Sequence, residues 1–217
     1  MRQLRRSSVS VIVDLDTPIR SSPDEVDLAI ENVEAAVFFC HGRKDALIHR
    51  SNLLTDSTRI RGNGRIVMLV MACSSAKELG PAAILNGIRA YLGFREKVYF
   101  VNPIYSSHEK LVGRAWNKGV KLFLTKNYSI SEIEEIIKLE FSKIIDSYRS
   151  PGRLKNEQDS ALAFAWAHWN AAHMHLEGDG GALVNGSRKG LLSPRFLLAK
   201  RPLLVVLAKL TRFIKRI

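Results

Sequence analysis

Short apolar runs recur along the chain at the length of β-strands. Residues 9–15, 35–40 and 66–72 are almost all apolar, and many of them are β-branched. Runs of this kind are typical of strands buried on both faces, as in a parallel sheet that lies between helices. Further strand-like runs lie at 90–94, 98–102 and 121–125.

Other stretches repeat their apolar residues at the spacing of an α-helix. Isoleucines and Phe141 recur every three to four residues through 129–148, which predicts an amphipathic helix there. Ser22 suits the cap of an earlier helix and Pro23 suits its first position. The helices predicted besides 129–148 are 26–33, 78–89 and 158–175. Alternating strands and helices predict an α/β fold with a mostly parallel sheet flanked by helices.

Two of the predicted strands are followed by residues that can react. The run 35–40 continues into His41-Gly42, and the run 66–72 continues into Cys73. Functional groups collect beyond the carboxyl ends of strands in open α/β sheets, where neighbouring strands lie about 5 Å apart. If these two strands are neighbours, the imidazole and the thiol emerge at one edge, as a Cys/His dyad requires.

Gly42 adds a second element to this pattern. It has no side chain, so its backbone N–H can approach a substrate oxygen and form an oxyanion hole together with the N–H of Cys73. A cysteine at the end of a buried strand is more commonly a small core residue, and a histidine after a strand more commonly lies in a turn. The spacing alone therefore leaves both interpretations open.

The residues around this pair resemble the CHAT-type branch of the caspase-like cysteine peptidases. The shared pattern is an apolar strand followed by His-Gly, an Asp-x-Leu turn, and a second apolar strand that ends in Ala-Cys-Ser. A Leu-Gly pair, a Gly-aromatic pair and a closing helix with Asn and Gly-Asp come later, so that the resemblance covers 35–184. The matching residues are His41, Gly42, Asp45, Leu47, Asn52, Ala72, Cys73, Ser74, Leu79, Gly80, Gly93, Phe94, Asn170, Gly178 and Asp179.

The chain departs from that family's pattern in two places. Phe39 and Cys40 precede the histidine where the family often has smaller residues. Gly-Gly follows Asp179 in place of a proline-containing end, which bears on the last strand and not on the dyad.

The resemblance implies a caspase-like fold and a cysteine endopeptidase, with His41 as general base and Cys73 as nucleophile, in prokaryotic regulated proteolysis or defence. Asp45 and Ser74 are candidate substrate contacts. An acid near the cleft would favour a basic side chain at the cleavage site, and the alternative for Asp45 is that it ties its own loop. The expected partners are a protein or peptide substrate and an activating protein, without a cofactor.

Charge is concentrated at one end of the chain. The net charge of the whole sequence is +12, and residues 188–217 hold nine basic side chains and no acidic one. This predicts a peptidase domain over 1–187 and a basic amphipathic tail over 188–217, suited to an anionic membrane surface or a partner groove. The alternative function is a catalytically silent caspase-like module that binds through this tail. A uniformly basic nucleic-acid binder would spread its charge more widely, so nucleic acid is not an expected ligand.

The cysteines and histidines give no sign of a disulfide framework or a metal site. Cys40 and Cys73 are the two cysteines, and Cys40 is expected in the core. His168, His173 and His175 fall on one predicted helix without an acid at ligand spacing, so no metal is expected. With no signal peptide or long apolar span in the sequence, the expected location is the cytoplasm, or the membrane surface if the tail docks there.

Overall fold

The computed structural model describes residues 12–13, 22–31, 33–49, 51–99, 106–149 and 160–184. The predicted tail and the division of the chain at residue 187 lie outside these residues. In chain order the elements are β1 (Ile12–Val13), α1 (Pro23–Glu31), β2 (Ala35–Phe39), β3 (His41–Gly42), β4 (Ala46–His49), β5 (Asn52–Asp56), β6 (Val67–Met71), α2 (Leu79–Leu85), β7 (Ala90–Phe94), α3 (Ser106–Thr125), α4 (Ile130–Arg149), α5 (Ser160–His173) and β8 (Met174–Gly178).

The main sheet has five strands in the order β1-β2-β6-β7-β8. The first four are parallel, and β8 runs antiparallel to β7 at one edge. The predicted α/β fold with a mostly parallel sheet is thus confirmed. The strands β2 and β6 pair directly, in a register that sets Ala35 opposite Val67 and Phe39 opposite Met71. Their carboxyl ends consequently reach the same edge of the sheet.

Both faces of the sheet are buried, because alternate residues of each central strand enter two different cores. Val37 and Leu69 belong to the core that packs under α3, α4 and α5. Phe38 and Val70 belong to the core on the opposite face, which includes residues of α1 and α2. This alternation explains why the central strands are apolar at every position, as the sequence pattern indicated.

A second, three-stranded antiparallel sheet holds β3, β4 and β5. His41 pairs with Ile48 and Gly42 pairs with Leu47, while a register shift lies between Leu47 and Ile48. The sequence pattern does not predict these strands. Since β3 begins two residues after β2 ends, the chain passes at Cys40 from the large sheet into the small one.

The structure corrects several predicted elements. The run 121–125 is not a strand but the last turns of α3. Val98 and Tyr99 lie outside any strand, and the rest of the predicted strand 98–102 lies outside the described residues. The helix predicted over 78–89 is shorter, and the helix predicted to reach residue 175 ends at His173.

Two helix predictions are confirmed in detail. Ser22 and Glu25 form a capping box, in which the Ser22 N–H donates to Glu25 Oε2 at 2.9 Å and the Glu25 N–H donates to Ser22 Oγ at 3.3 Å. α4 buries Ile133, Ile137 and Phe141 on one face, as their spacing predicts. No helix within the described residues has a stretch long and apolar enough to cross a bilayer.

Candidate active site

The structure brings His41-Gly42 and Cys73 together at one edge of the main sheet. The residue pair Phe39 and Met71 is the last of the β2–β6 register, and the Cys40 N–H still donates to the Met71 carbonyl at 3.4 Å. Beyond this point Gly42 lies against the backbone of Cys73. A Cβ at Gly42 would overlap the Cys73 carbonyl oxygen and would come within 3.0 Å of the Cys73 nitrogen. Only glycine therefore permits this close approach.

The thiol of Cys73 is half-buried and contacts the backbone of Val98. The Val98 N–H donates to Cys73 Sγ at 3.4 Å, and Sγ lies 3.9 Å from the Val98 carbonyl oxygen, to which the protonated thiol donates. A backbone N–H directed at sulfur stabilises the thiolate form of a cysteine. Sequence reasoning missed this group, since a backbone donor leaves no signature in the residue type.

Ser74 holds the chain in a sharp turn directly after Cys73. Its φ of 56° is the one positive value among the described residues other than glycine. Its N–H donates to the Glu96 carbonyl at 2.9 Å, and its own carbonyl accepts from the Lys77 N–H at 3.0 Å. The turn ends the strand β6 abruptly and keeps Cys73 at the edge of the sheet instead of inside it. Strained residues of this kind cluster at functional sites.

The two candidate oxyanion-hole donors lie next to each other. The Arg43 N–H donates to the Ala46 carbonyl at 2.9 Å across the β3–β4 hairpin. Because bonded and non-bonded pairs alternate in an antiparallel ladder, the neighbouring pair of Gly42 and Leu47 is non-bonded. The Gly42 N–H therefore points away from β4. No backbone carbonyl among the described residues accepts the Cys73 N–H.

The imidazole of His41 is exposed at the start of β3. Successive side chains leave a strand on opposite faces, so the imidazole leaves β3 on the face away from the one where Gly42 meets Cys73. The contacts of the described residues include no hydrogen bond between His41 and Cys73. The two side chains share an edge of the sheet but are not joined in this conformation.

Asp45 lies at the tip of the hairpin between β3 and β4. Its half-exposed carboxylate pairs with Arg43 in the same turn at 3.5 Å, and its carbonyl accepts from the Ser57 N–H at 2.8 Å. The neighbouring Lys44 carbonyl accepts the N–H groups of Glu78 and Leu79 at the start of α2. These contacts tie the loop, which is the alternative that the sequence left open for Asp45.

Cys40 is buried in the core beside α1 and α2, as expected. Burial raises the pKa of its thiol to about 12, although a backbone hydrogen bond from Ile48 opposes the shift. A neutral, enclosed thiol of this kind is a poor nucleophile. The two cysteines therefore differ in environment although they follow neighbouring strands.

The residues of the predicted closing segment lie behind the site. Asn170 of α5 is fully buried and contacts Tyr99, one residue beyond Val98. Asp179 follows β8 and pairs with Arg89 at 2.7 Å. Hydrogen bonds from Arg89 and from the Gly181 N–H hold the pKa of Asp179 below its usual range.

The three histidines do not share a helix. His168 and His173 belong to α5, whereas His175 lies on β8, where its Nε2 is 2.6 Å from Glu177 Oε1. His175 thus has an acidic neighbour that was not predicted, because the predicted helix extended too far, to residue 175. Within the described ranges no group of three or more His, Cys, Asp or Glu residues has the geometry to hold a metal ion.

Comparisons with known proteins give one structural similarity. No family model matches the chain, and no curated protein sequence matches it. A solved structure described as "Structure of Protease" is similar to this chain with 12% sequence identity and a TM-score of 0.43. The similarity covers 76% of this chain and 38% of the other, so this chain spans well under half of that protein.

Proposed function

We propose that this chain is a cysteine endopeptidase in which Cys73 is the nucleophile and His41 the general base. The observation that carries the proposal is the direct pairing of β2 with β6, which brings Gly42, the residue after His41, against the backbone of Cys73. The partial exposure of the thiol and the N–H that Val98 directs at its sulfur support the same role. Cys40 also accepts a backbone hydrogen bond, from Ile48, but its thiol is buried.

The proposed reaction follows from these groups. His41 takes the proton of the Cys73 thiol, and the thiolate attacks the carbonyl carbon of a peptide bond, so that a C–S bond forms and the carbonyl oxygen takes the negative charge. The N–H groups of Gly42 and Cys73 donate to that oxygen. The protonated imidazole of His41 gives its proton to the leaving amine as the C–N bond breaks. Water then cleaves the thioester, which releases a carboxylic acid and regenerates the thiol.

A conformational adjustment belongs to this proposal. His41 is on the small sheet and Cys73 follows a strand of the large one, so a movement between them or a rotamer change is needed to join the two side chains. Catalytic hydrogen bonds are commonly long before substrate binds. A partner protein that closes this gap would act as the activator expected from the sequence.

The second candidate function is a catalytically silent module with the same fold. The observation that favours it is the same separation: the Cys73 sulfur contacts Val98, and the exposed His41 starts from the far face of β3. In this case the chain would bind a partner or an anionic membrane surface through residues 188–217. Those residues lie outside the described part of the chain, and the role of the tail stays a prediction.

The deciding experiment compares four proteins on a mixed peptide library, with cleavage products identified by mass spectrometry. The proteins are the wild type, Cys73→Ala, His41→Ala and the matched control Cys40→Ala. We expect cleavage by the wild type and by Cys40→Ala, and a loss of at least about a thousandfold in the other two variants. Equal cleavage by all four proteins would reject the dyad.

Absence of cleavage is resolved with an acyloxymethyl ketone, an electrophile that captures an activated thiolate. Rapid labelling of Cys73 that needs His41, with Cys40 unlabelled, identifies a working site that awaits an activator. Labelling of Cys73 at the rate of a free thiol, unaffected by His41→Ala, supports the silent module.

Asp45 and Ser74 remain proposed substrate contacts. In the same library, Asp45→Asn tests whether the carboxylate selects a basic residue at the cleavage site. A weaker preference for Arg and Lys, with the total rate otherwise kept, supports a substrate contact. An unchanged preference assigns Asp45 to its loop and to its pair with Arg43.

A further inference from the structure

The segment 95–99, here called the strap, runs between the turn at Cys73 and helix α5. On the side of the turn, the Ser74 N–H donates to the Glu96 carbonyl at 2.9 Å, and the Val98 N–H donates to Cys73 Sγ at 3.4 Å. An ion pair between Lys77 and Glu96 at 2.7 Å adds a side-chain contact on this side. Glu96 and Val98, the even-numbered residues of the strap, thus hold the turn at Cys73 and Ser74.

The odd-numbered residues of the strap bond to α5 instead. The contacts are the Arg95 N–H to the His173 carbonyl at 2.9 Å, the Trp169 Nε1–H to the Lys97 carbonyl at 2.9 Å, the Tyr99 N–H to Asn170 Oδ1 at 3.0 Å, and the Asn170 Nδ2–H to the Tyr99 carbonyl at 2.8 Å. The strap therefore couples α5 to the turn through its backbone.

Asn170 makes two of these four hydrogen bonds. Its side chain is fully buried and holds both the N–H and the carbonyl of Tyr99. Only one orientation of the amide satisfies both bonds, so the side chain fixes the direction of the Tyr99 backbone. The peptide nitrogen one residue earlier, that of Val98, is the donor to Cys73 Sγ.

We propose that Asn170 is a positioning residue for Cys73: by clamping Tyr99 it aims the Val98 N–H at the sulfur and stabilises the thiolate. This inference rests on the proposed function only in assigning Cys73 as the nucleophile. The protonated thiol donates to the Val98 carbonyl, and the thiolate accepts from the Val98 N–H, so one residue serves both forms. Asn170 acts at a distance through the strap and does not itself touch sulfur.

The test measures alkylation of Cys73 by iodoacetamide between pH 5 and pH 10, in the full chain, by mass spectrometry. In Asn170→Ala we expect the rate at pH 7 to fall about tenfold, since a hydrogen bond to a charged group is lost. At pH 10 the rate should stay within about twofold of wild type, because a thiol is largely ionised at that pH even without the hydrogen bond. A purely structural change would not alter the shape of this pH profile.

Two controls accompany the variant. Asn63→Ala also loses a side chain that holds one backbone carbonyl and one backbone N–H, those of Glu31 and Arg65, at a distance from the site. It should reproduce the wild-type profile. Buried Cys40 reports the fold within every sample, because its alkylation stays slow only while the core is closed.

Trp169→Phe is the second test variant, for the case that Asn170→Ala exposes Cys40. It removes the bond to the Lys97 carbonyl, and its exposed position makes unfolding less of a concern. We expect a loss of about threefold at pH 7, with the same recovery at pH 10, because one neutral hydrogen bond is removed.

The outcomes separate the positioning role from the peptidase itself. An unchanged pH profile in the folded variants, or an equal loss at every pH, overturns the role of Asn170. A profile that depends on Asn170, with no peptide cleavage and no effect of His41→Ala on the labelling of Cys73, keeps the positioning role and counts against the peptidase. Peptide cleavage with a profile indifferent to Asn170 does the reverse.

Discussion

The ends of β2 and β6 are neighbours, yet they give their cysteines opposite environments. After β2 the chain passes through Cys40 into the small sheet, and burial of the Cys40 thiol raises its pKa to about 12. After β6 the chain turns sharply at Ser74, where φ is 56°, and Cys73 stays at the surface of the opposite core. The difference teaches that the path of the chain after a strand, rather than the strand, decides whether a terminal cysteine is inert or accessible.

The largest expected effect comes from forcing the two strand ends apart. In Gly42→Ala the new Cβ would overlap the Cys73 carbonyl and lie 2.9 Å from the Ala72 Cβ. We expect the free energy of unfolding to fall by about 3 kcal/mol and the preferential labelling of Cys73 to disappear. Urea denaturation and electrophile labelling check the two effects.

Gly113→Ala is the matched control for this substitution. Gly113 lies within α3, and a Cβ there meets nothing within 4 Å. Since alanine is the better helix former, we expect the free energy of unfolding to rise by about 1 kcal/mol. Comparable losses in both variants would mean that the approach of Gly42 to Cys73 has no special role.

A smaller effect is expected from the turn that distinguishes the two ends. Ser74→Val puts a β-branched residue at positive φ and should lower the free energy of unfolding by about 2 kcal/mol. Ser74→Gly adopts the same conformation without strain, so it should change stability by less than about 1 kcal/mol. Urea denaturation of both variants measures the difference, and equal stabilities would argue against a strained turn.

The smallest expected effect is the contribution of the raised pKa of Cys40 to stability at alkaline pH. Its thiol is neutral in the folded chain up to a pKa of about 12, whereas in the unfolded chain it ionises near its ordinary pKa of 9.0. The unfolded state therefore releases a proton first, and this group's contribution is intact below pH 9.0 and is lost progressively as the pH rises toward 12. Between pH 9 and pH 10 the expected loss is about 1 kcal/mol.

Cys40→Ala isolates this contribution, because Tyr91 and the lysines titrate in both proteins. Urea denaturation at pH 8, 9 and 10 should show a shallower alkaline decline in the variant than in the wild type. Parallel declines would mean that the thiol of Cys40 is not shielded from water in the folded chain.

The sequence predicts the central sheet well, because strands buried on both faces are apolar at every position. The same reasoning fails for 121–125, where a short apolar run also fits a buried helix. The spacing of Val112, Trp116, Val120 and Phe123, all buried in α3, carries the helical period that the run alone conceals. Longer windows would have favoured the helix.

The small sheet and the strap show what the residue types do not reveal. The strands β4 and β5 are short, mix polar with apolar residues and adjoin a charged turn at Lys44 and Asp45, so no clear alternation marks them. The strap acts through backbone groups, and the residue types of Val98 and Ser74 do not predict the backbone conformation at these positions. Asn170 was named from resemblance, but its contact with Tyr99 depends on a distance of 71 residues along the chain.

That separation has a consequence for the order in which a new chain acquires its properties. During synthesis, residues near the amino terminus leave the ribosome first and begin to fold as units. The strands β2 and β6 can pair once the chain has emerged as far as Cys73, and this pairing brings Gly42 to Cys73. The strap has no contact with α5 until the residues around Asn170 follow, so a nascent or truncated chain carries its thiol without the support of α5. The reactivity of Cys73 therefore depends on synthesis of the chain through α5.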